Sequence, residues 1–193
     1  RADPQIRNCY TIGLVLFFIS CVSTKYKKLS VENPSKLIAM EDSLLRFESS
    51  ATLHSSLGNA HNELGEKLLE EKEFVKAKNH FSKAIYYSEN DTTYLYNHYI
   101  TEGHILLQKG NKNGLWDGIE FYYKAAKLKP DSGEPYYYIG QSYQKLGDTD
   151  FDLIIESYQN ALQLTLSNKL RGKVDIELEN ISNRKNRLES FWK

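Results

Sequence analysis

The sequence predicts an all-α protein, a helical-hairpin solenoid of about three repeats with an N-terminal helix and a C-terminal capping helix. Three observations lead there. From Gly58 to Ser167 apolar residues recur at helical spacing between short turns, and no alternating stretch of useful strand length interrupts them. Within that span three groups align: Leu64-Gly65 and Leu68 with Ala77, Phe81 and Ala84; Gly103 and Leu106 with Gly118, Tyr122 and Ala125; Ile139-Gly140 and Tyr143 with Ile154, Tyr158 and Ala161. Each group reads as two helices. A glycine in the first admits close approach of the second, whose triplet at i, i+4, i+7 faces back onto the first. Such a pair cannot bury its outer face alone, so neighbouring pairs must stack.

Composition narrows the function classes. The 193 residues suit one ordinary domain. Lys plus Arg number 25 against 25 Asp plus Glu, so the chain lacks the basic footprint of a nucleic-acid binder. Two cysteines, Cys9 and Cys21, are too few for a disulfide framework or a zinc cage. The core must hold by packing.

Taken in chain order, residues 1–20 read as an artificial scar, RADPQ, followed by a signal segment. The apolar run from Cys9 to Val22 is 14 residues long, short of the ~20 that a spanning helix needs. Its length suits the apolar region of a secretory signal, and Arg7 supplies a basic start. The end of the run, Phe18-Ile19-Ser20-Cys21, resembles the lipobox of bacterial lipoproteins in the relaxed form of spirochaetal ones, with Phe18 where Leu is usual. That resemblance implies cleavage before Cys21, lipidation of Cys21 and a place in the cell envelope, with the periplasmic side favoured. The alternative is a plain signal peptide or short anchor with Cys21 a bystander.

Residues 21–35 are expected to be a tether, because STKYKKLSVENPS is polar, lacks apolar periodicity and carries Pro34. Lys25, Lys27 and Lys28 are read as solvated, with anionic headgroups as the alternative contact. Residues 36–57 form the N-terminal helical segment, in which Leu37, Ile38, Met40, Leu44, Leu45 and Phe47 predict an amphipathic helix capped by Ser35. The three repeats occupy residues 58–167, with extra residues in the second turn around Asn111 to Leu115. Residues 168–193 turn charged, with Val174, Leu178, Ile181 and Leu188 along one face. This suits a polar-faced cap, while Phe191 and Trp192 leave open a helix that recruits a second chain.

The aligned groups resemble the tetratricopeptide repeat, whose period is ~34 residues. The third group carries the likeness best, with Tyr136, Gly147-Asp148 and Phe151, and Pro130 in AAKLKPDS matches the family's terminal Pro. Glu89, Glu102 and Ile154 depart from its usual residues. The resemblance implies a concave peptide-binding groove lined by Asn59, Asn62, Glu66 and Glu70; Asn97, Ile100, His104 and Gln108; and Glu134, Tyr137, Gln141 and Lys145. The family's carboxylate clamp wants Lys and Asn where Asn62 and Glu66 stand, which argues against chaperone-tail recognition. Tyr137 is either a peptide contact or padding in a seam between repeats. Successive residues on a helix point in different directions, so Tyr136, Tyr137 and Tyr138 cannot all be core.

Catalytic signatures are missing from the sequence. GDTDFD, with Asp148, Asp150 and Asp152, opens like a calcium loop, but Leu153 and Gln159 stand where Gly and Glu are required. His54, His61, His80, His98 and His104 include no metalloprotease-type pair. No phosphate-binding loop, dinucleotide fingerprint or nucleophile elbow occurs. The chain is therefore expected to be no enzyme and to need no cofactor or metal. The reading is a membrane-anchored adaptor that holds another envelope protein or peptide in its groove and binds no nucleic acid. The alternatives are a homo-oligomer assembled through the C-terminal helix, or an accessory subunit of an envelope enzyme using Glu66 and Glu70 as a carboxylate pair.

Overall fold

The computed structural model describes residues 24–147 and 150–191. The described chain runs through α1 (24–32), α2 (Pro34–Ala39), α3 (Glu41–Phe47), α4 (Ala51–Glu70), α5 (Phe74–Tyr87), α6 (Thr92–Lys109), α7 (Lys112–Leu128), α8 (Glu134–Leu146), α9 (Phe151–Gln163) and α10 (Asn168–Phe191). Helices α4/α5, α6/α7 and α8/α9 pack as hairpins, and successive hairpins join through α5 against α6 and α7 against α8. This is the expected helical-hairpin solenoid. Among the described residues the β-type pairing consists of an isolated bridge, Ser132 to Thr165, which ties the turn before α8 to the turn after α9.

The three aligned glycines explain how each hairpin closes. A Cβ on Gly65 would lie 2.6 Å from the Phe81 ring, one on Gly103 2.4 Å from Tyr122, and one on Gly140 2.5 Å from Tyr158. Each aromatic ring therefore occupies the space a side chain would take. Phe81, Tyr122 and Tyr158 are fully buried, and burial of a side chain this size contributes ~1.5–3 kcal/mol. Tyr122 shares a cluster with Tyr96, Ile100, Ile119, Ala125 and Ile139, which seals the second hairpin against the third.

Local chemistry sets the helix ends. Ser50 accepts from the Leu53 amide, and Asp91 accepts from the amides of Thr93 and Tyr94, so both helices begin on side-chain caps. Gly110 ends α6 at φ 69°, a left-handed conformation that costs glycine nothing. At the far end, Val174 and Ile181 of α10 are buried against Tyr137, Ile154 and Tyr158. The Arg171 guanidinium donates to the carbonyls of Leu162 and Leu164, satisfying the open end of α9. Lys185 pairs with Asp152 at 2.6 Å. Thus α10 caps the stack, while Leu188 and Phe191 are exposed.

The N-terminal region differs from expectation in three ways. Residues 24–32 are helical rather than a tether: Tyr26 and Leu29 pack against the cluster of Leu37, Leu53, Leu57 and Ala60, although Lys25, Lys27 and Lys28 stay exposed. The amphipathic helix expected to begin at a Ser35 cap starts earlier, capped by Asn33 with Pro34 in the first turn, and breaks at Met40. Pro34 fits there because a first-turn residue needs no amide hydrogen. The break separates Leu37, which enters the apolar cluster, from Glu41, which reaches His61 and Tyr87; Met40 and Phe47 are left exposed. The boundary expected between residues 57 and 58 falls inside α4, whose first turns pack on α2.

The extra residues around Asn111 to Leu115 do not form a longer turn. They wind into the first turn of α7, because Leu115 buries its side chain. The signal segment with Cys21, Asp148 of the GDTDFD run, and Trp192 lie outside the described residues. Among the described residues no helix is long and apolar enough to cross a membrane.

Candidate functional site

The end of α4, the first turn of α5, α6, α8 and α10 together enclose an open groove of about 460 Å³. Phe74, His104, Tyr137 and Tyr138 form much of its lining, flanked by Leu69 and Leu107. Glu70, Lys72, Gln108, Gln141, Lys145 and Lys173 supply the polar lining. The groove exists because the first helices of successive hairpins lie side by side, so residues one to two turns apart on α6 and α8 face the same space.

His104 sits at the centre of the aromatic lining. Its ring lies 4.3 Å from Tyr138 and 5.1 Å from Phe74, centroid to centroid, and Nδ1 shares a hydrogen bond of 2.9 Å with the Tyr122 hydroxyl. Burial pushes the His104 pKa down to about 4, and burial likewise holds the Tyr122 hydroxyl in its protonated form well above its ordinary range. At neutral pH this part of the groove is therefore uncharged and aromatic. Tyr138 stacks on Tyr122 at 5.4 Å, carrying the aromatic contact from α8 into the second hairpin.

Six of the twelve groove positions expected from the sequence line this space: Glu70, His104, Gln108, Tyr137, Gln141 and Lys145. Gln141 Nε2 donates to the Tyr137 hydroxyl at 2.8 Å, and Lys145 Nζ donates to the Leu107 carbonyl at 3.0 Å, bridging α8 to α6. The other six are engaged in internal contacts. Asn97 Nδ2 donates to Asn62 Oδ1 at 2.9 Å and to Glu66 Oε1 at 2.8 Å, and Asn62 Nδ2 also donates to Glu66, tying α4 to α6. Asn59 donates to Ser30 of α1, Glu134 accepts from Tyr96, and Ile100 is buried in the core.

Tyr137 is 5% exposed, packs with Val174 and Ile154 in the seam between α8, α9 and α10, and borders the groove. Tyr136 and Tyr138 are half-buried, so the three consecutive tyrosines meet neighbours on three sides of α8 without all entering the core. Sequence reasoning missed Leu69, Lys72, Phe74, Leu107, Tyr138 and Lys173. Leu69, Leu107 and Tyr138 each lie one residue from an expected groove position. Lys72 and Phe74 belong to the α4–α5 turn, and Lys173 comes from α10. No sequence signal places those three beside α8.

A second polar cluster joins α3 to the first hairpin. Glu41 accepts from His61 Nε2 at 3.0 Å and from the Tyr87 hydroxyl at 2.5 Å, with Lys83 Nζ 3.5 Å away. His61 Nδ1 faces His80 Nδ1 at 2.9 Å. His61 Nε2–H donates to Glu41, and since burial favours the neutral rings, His61 Nδ1 is left to accept from His80 Nδ1–H. Burial lowers both histidine pKa values. Burial alone raises the Glu41 pKa, but the hydrogen bonds from Tyr87 and His61 and the nearby positive charge outweigh it and leave it low. Among the described residues no group of three or more His, Cys, Asp or Glu side chains is arranged to hold a metal ion.

Three hairpins closed by glycine–aromatic contacts, a capping helix and a groove bordered by the first helices define an all-α helical-hairpin solenoid with a tetratricopeptide-type fold. Solved structures share this fold. The MamA fragment 41-end from Desulfovibrio magneticus RS-1 aligns with TM-score 0.53 and 17% identity over 87% of this chain and 88% of that one. A MamA RS-1 double mutant aligns with TM-score 0.54 and 17% identity over 87% of each chain. No family model and no curated protein matches the sequence.

Proposed function

We propose that the protein is a non-enzymatic scaffold that holds a segment of another cell-envelope protein in the groove between α4, α6, α8 and α10. The observation that carries this reading is the groove itself. It is open to solvent, floored by aromatic rings and edged by hydrogen-bonding side chains from several helices, which is the chemistry that secures a peptide. The tetratricopeptide-type fold supports the same class of role. A photoreactive phenylalanine at Gln108, an exposed groove position, tests it in cells, with the same residue at exposed Glu120 of α7 as control. A protein adduct formed from position 108 and not from position 120 is expected. Adducts from both positions, or from neither, overturn the groove reading.

Lipidation at Cys21 is proposed as the device that keeps the scaffold at the envelope. Several acyl chains on one cysteine anchor firmly, whereas a single chain anchors marginally. Cys21→Ala is expected to move the protein from the membrane fraction to the soluble fraction. Continued membrane retention of the variant removes the lipid anchor from the account.

A further inference from the structure

Three lysines from distant parts of the chain converge on the groove: Lys72 in the α4–α5 turn, Lys145 near the end of α8 and Lys173 in α10. Glu70 is the one carboxylate in the lining. The chain as a whole is neutral, so this excess is local. Lys145 uses one of its three ammonium hydrogens on the Leu107 carbonyl, which leaves two. Among the described residues, Lys72 and Lys173 show no ion-pair partner. Between these cations lie Phe74, neutral His104, Tyr137 and Tyr138. The opening thus combines a positive edge with an aromatic floor.

Lys72 adds an independent observation. It holds φ 62°, the left-handed region, and is the described non-glycine residue with positive φ. The Lys72 amide donates to the Leu69 carbonyl and the Glu73 amide to Leu68, the helix-ending motif in which this position favours glycine. A lysine here retains backbone strain that glycine would relieve, and it does so at the edge of the groove.

Building on the scaffold reading above, we infer that the groove's partner is an acidic peptide segment of a separate protein, carrying one large apolar side chain that enters among Phe74, His104 and Tyr138 while its carboxylates meet Lys72, Lys145 and Lys173. The volume of about 460 Å³ lies in the ~300–1,000 Å³ range of clefts that enclose a compact ligand, enough for one such side chain with flanking backbone. Charge complementarity fixes which segment is accepted, and the aromatic floor holds it.

The test is selection from a phage-displayed library of random peptides on the full chain, in parallel with a Gln108→Trp variant whose added ring fills the groove from an exposed position. Wild type is expected to enrich peptides of net negative charge with a shared aromatic or large aliphatic residue, and Gln108→Trp is expected to lose them. The best peptide is then titrated against Lys72→Gly and Lys173→Glu. Together these changes should weaken binding by about tenfold. Lys72→Gly alone should raise the unfolding midpoint by roughly 2–4 °C, so its weaker binding cannot be unfolding. Groove-dependent peptides with no charge bias, bound equally by the lysine variants, overturn the acidic inference and leave the scaffold reading standing. Peptides that bind wild type and Gln108→Trp alike, or no enrichment at all, overturn the scaffold reading itself. Lysine-dependent binding to phosphatidylglycerol vesicles without peptide enrichment assigns the lysines to a lipid surface instead.

Discussion

Gly103→Ala should destabilise the fold by about 2 kcal/mol, although alanine is the better helix former. In a helix interior that exchange normally gains ~1 kcal/mol. Here the added methyl meets three atoms of the Tyr122 ring at 2.4, 2.6 and 2.8 Å. Tyr122 of α7 is fully buried against α6 and α8, stacked on Tyr138 and bonded to His104, so it has nowhere to retreat. Overpacking of this kind costs ~1–3 kcal/mol, and the absence of slack places this site at or above the upper end. Thermal unfolding should shift down by roughly 4–8 °C for a chain of this size. Gly172→Ala is the control: it makes the same change in α10, where a Cβ meets nothing within 4 Å, and should be neutral or stabilising. Tyr122→Leu, which shrinks the offending ring, should make Gly103→Ala cheaper than in the wild type, giving a favourable coupling in a double-mutant cycle. Equal effects of alanine at 103 and 172 would falsify the packing argument.

Stability should also fall steeply as pH drops from 6.5 towards 4. His104 has its pKa pushed down to about 4 by burial, against an ordinary value of 6.5. Below pH 6.5 the unfolded chain binds a proton that the folded chain refuses. The stabilisation is therefore complete above that pH and is lost progressively down to about 4, where the folded state titrates as well. The limiting loss from this residue is about 3 kcal/mol, and about 2 kcal/mol is already lost at pH 5. His61, His80 and His98 are lowered too, chiefly by burial, and push in the same direction. Urea unfolding at pH 7 and pH 5 measures the total, and His104→Gln isolates one share. The variant should show a pH dependence smaller by about 2 kcal/mol; an unchanged difference would place the acid sensitivity elsewhere. Because His104 lines the groove, its protonation also puts charge among the rings proposed to hold a partner's apolar side chain.

Much of this architecture is legible along the chain. The hairpins, the glycine–aromatic pairs Gly65–Phe81, Gly103–Tyr122 and Gly140–Tyr158, and the capping role of α10 follow from periodicity and steric complement, because residues at fixed helical offsets share a face wherever the helix lies. The resemblance to the tetratricopeptide repeat, rather than periodicity, pointed to His104, Gln108, Tyr137, Gln141 and Lys145, and these residues of α6 and α8 border one open space.

What the linear pattern leaves open depends on contacts between segments distant in sequence. Residues 24–32 carry only Tyr26 and Leu29 as large apolar contacts to the N-terminal cluster, too few for a periodic signal, and they become a packed helix because Leu53 and Leu57 of α4 offer an uncovered surface. Asn62, Glu66 and Asn97 look like ligand contacts on single helices. Once α4 and α6 lie side by side, they satisfy one another. Lys72 and Lys173 are 101 positions apart and acquire a common role only when the α4–α5 turn and the capping helix meet across the groove. The helices, their pairing and the side chains that close each pair are written along the chain, since these rest on short-range periodicity and excluded volume. Which polar groups are consumed internally and which stay exposed in the groove emerges only from the packed helices, because hydrogen-bond satisfaction and charge convergence are properties of the assembled stack.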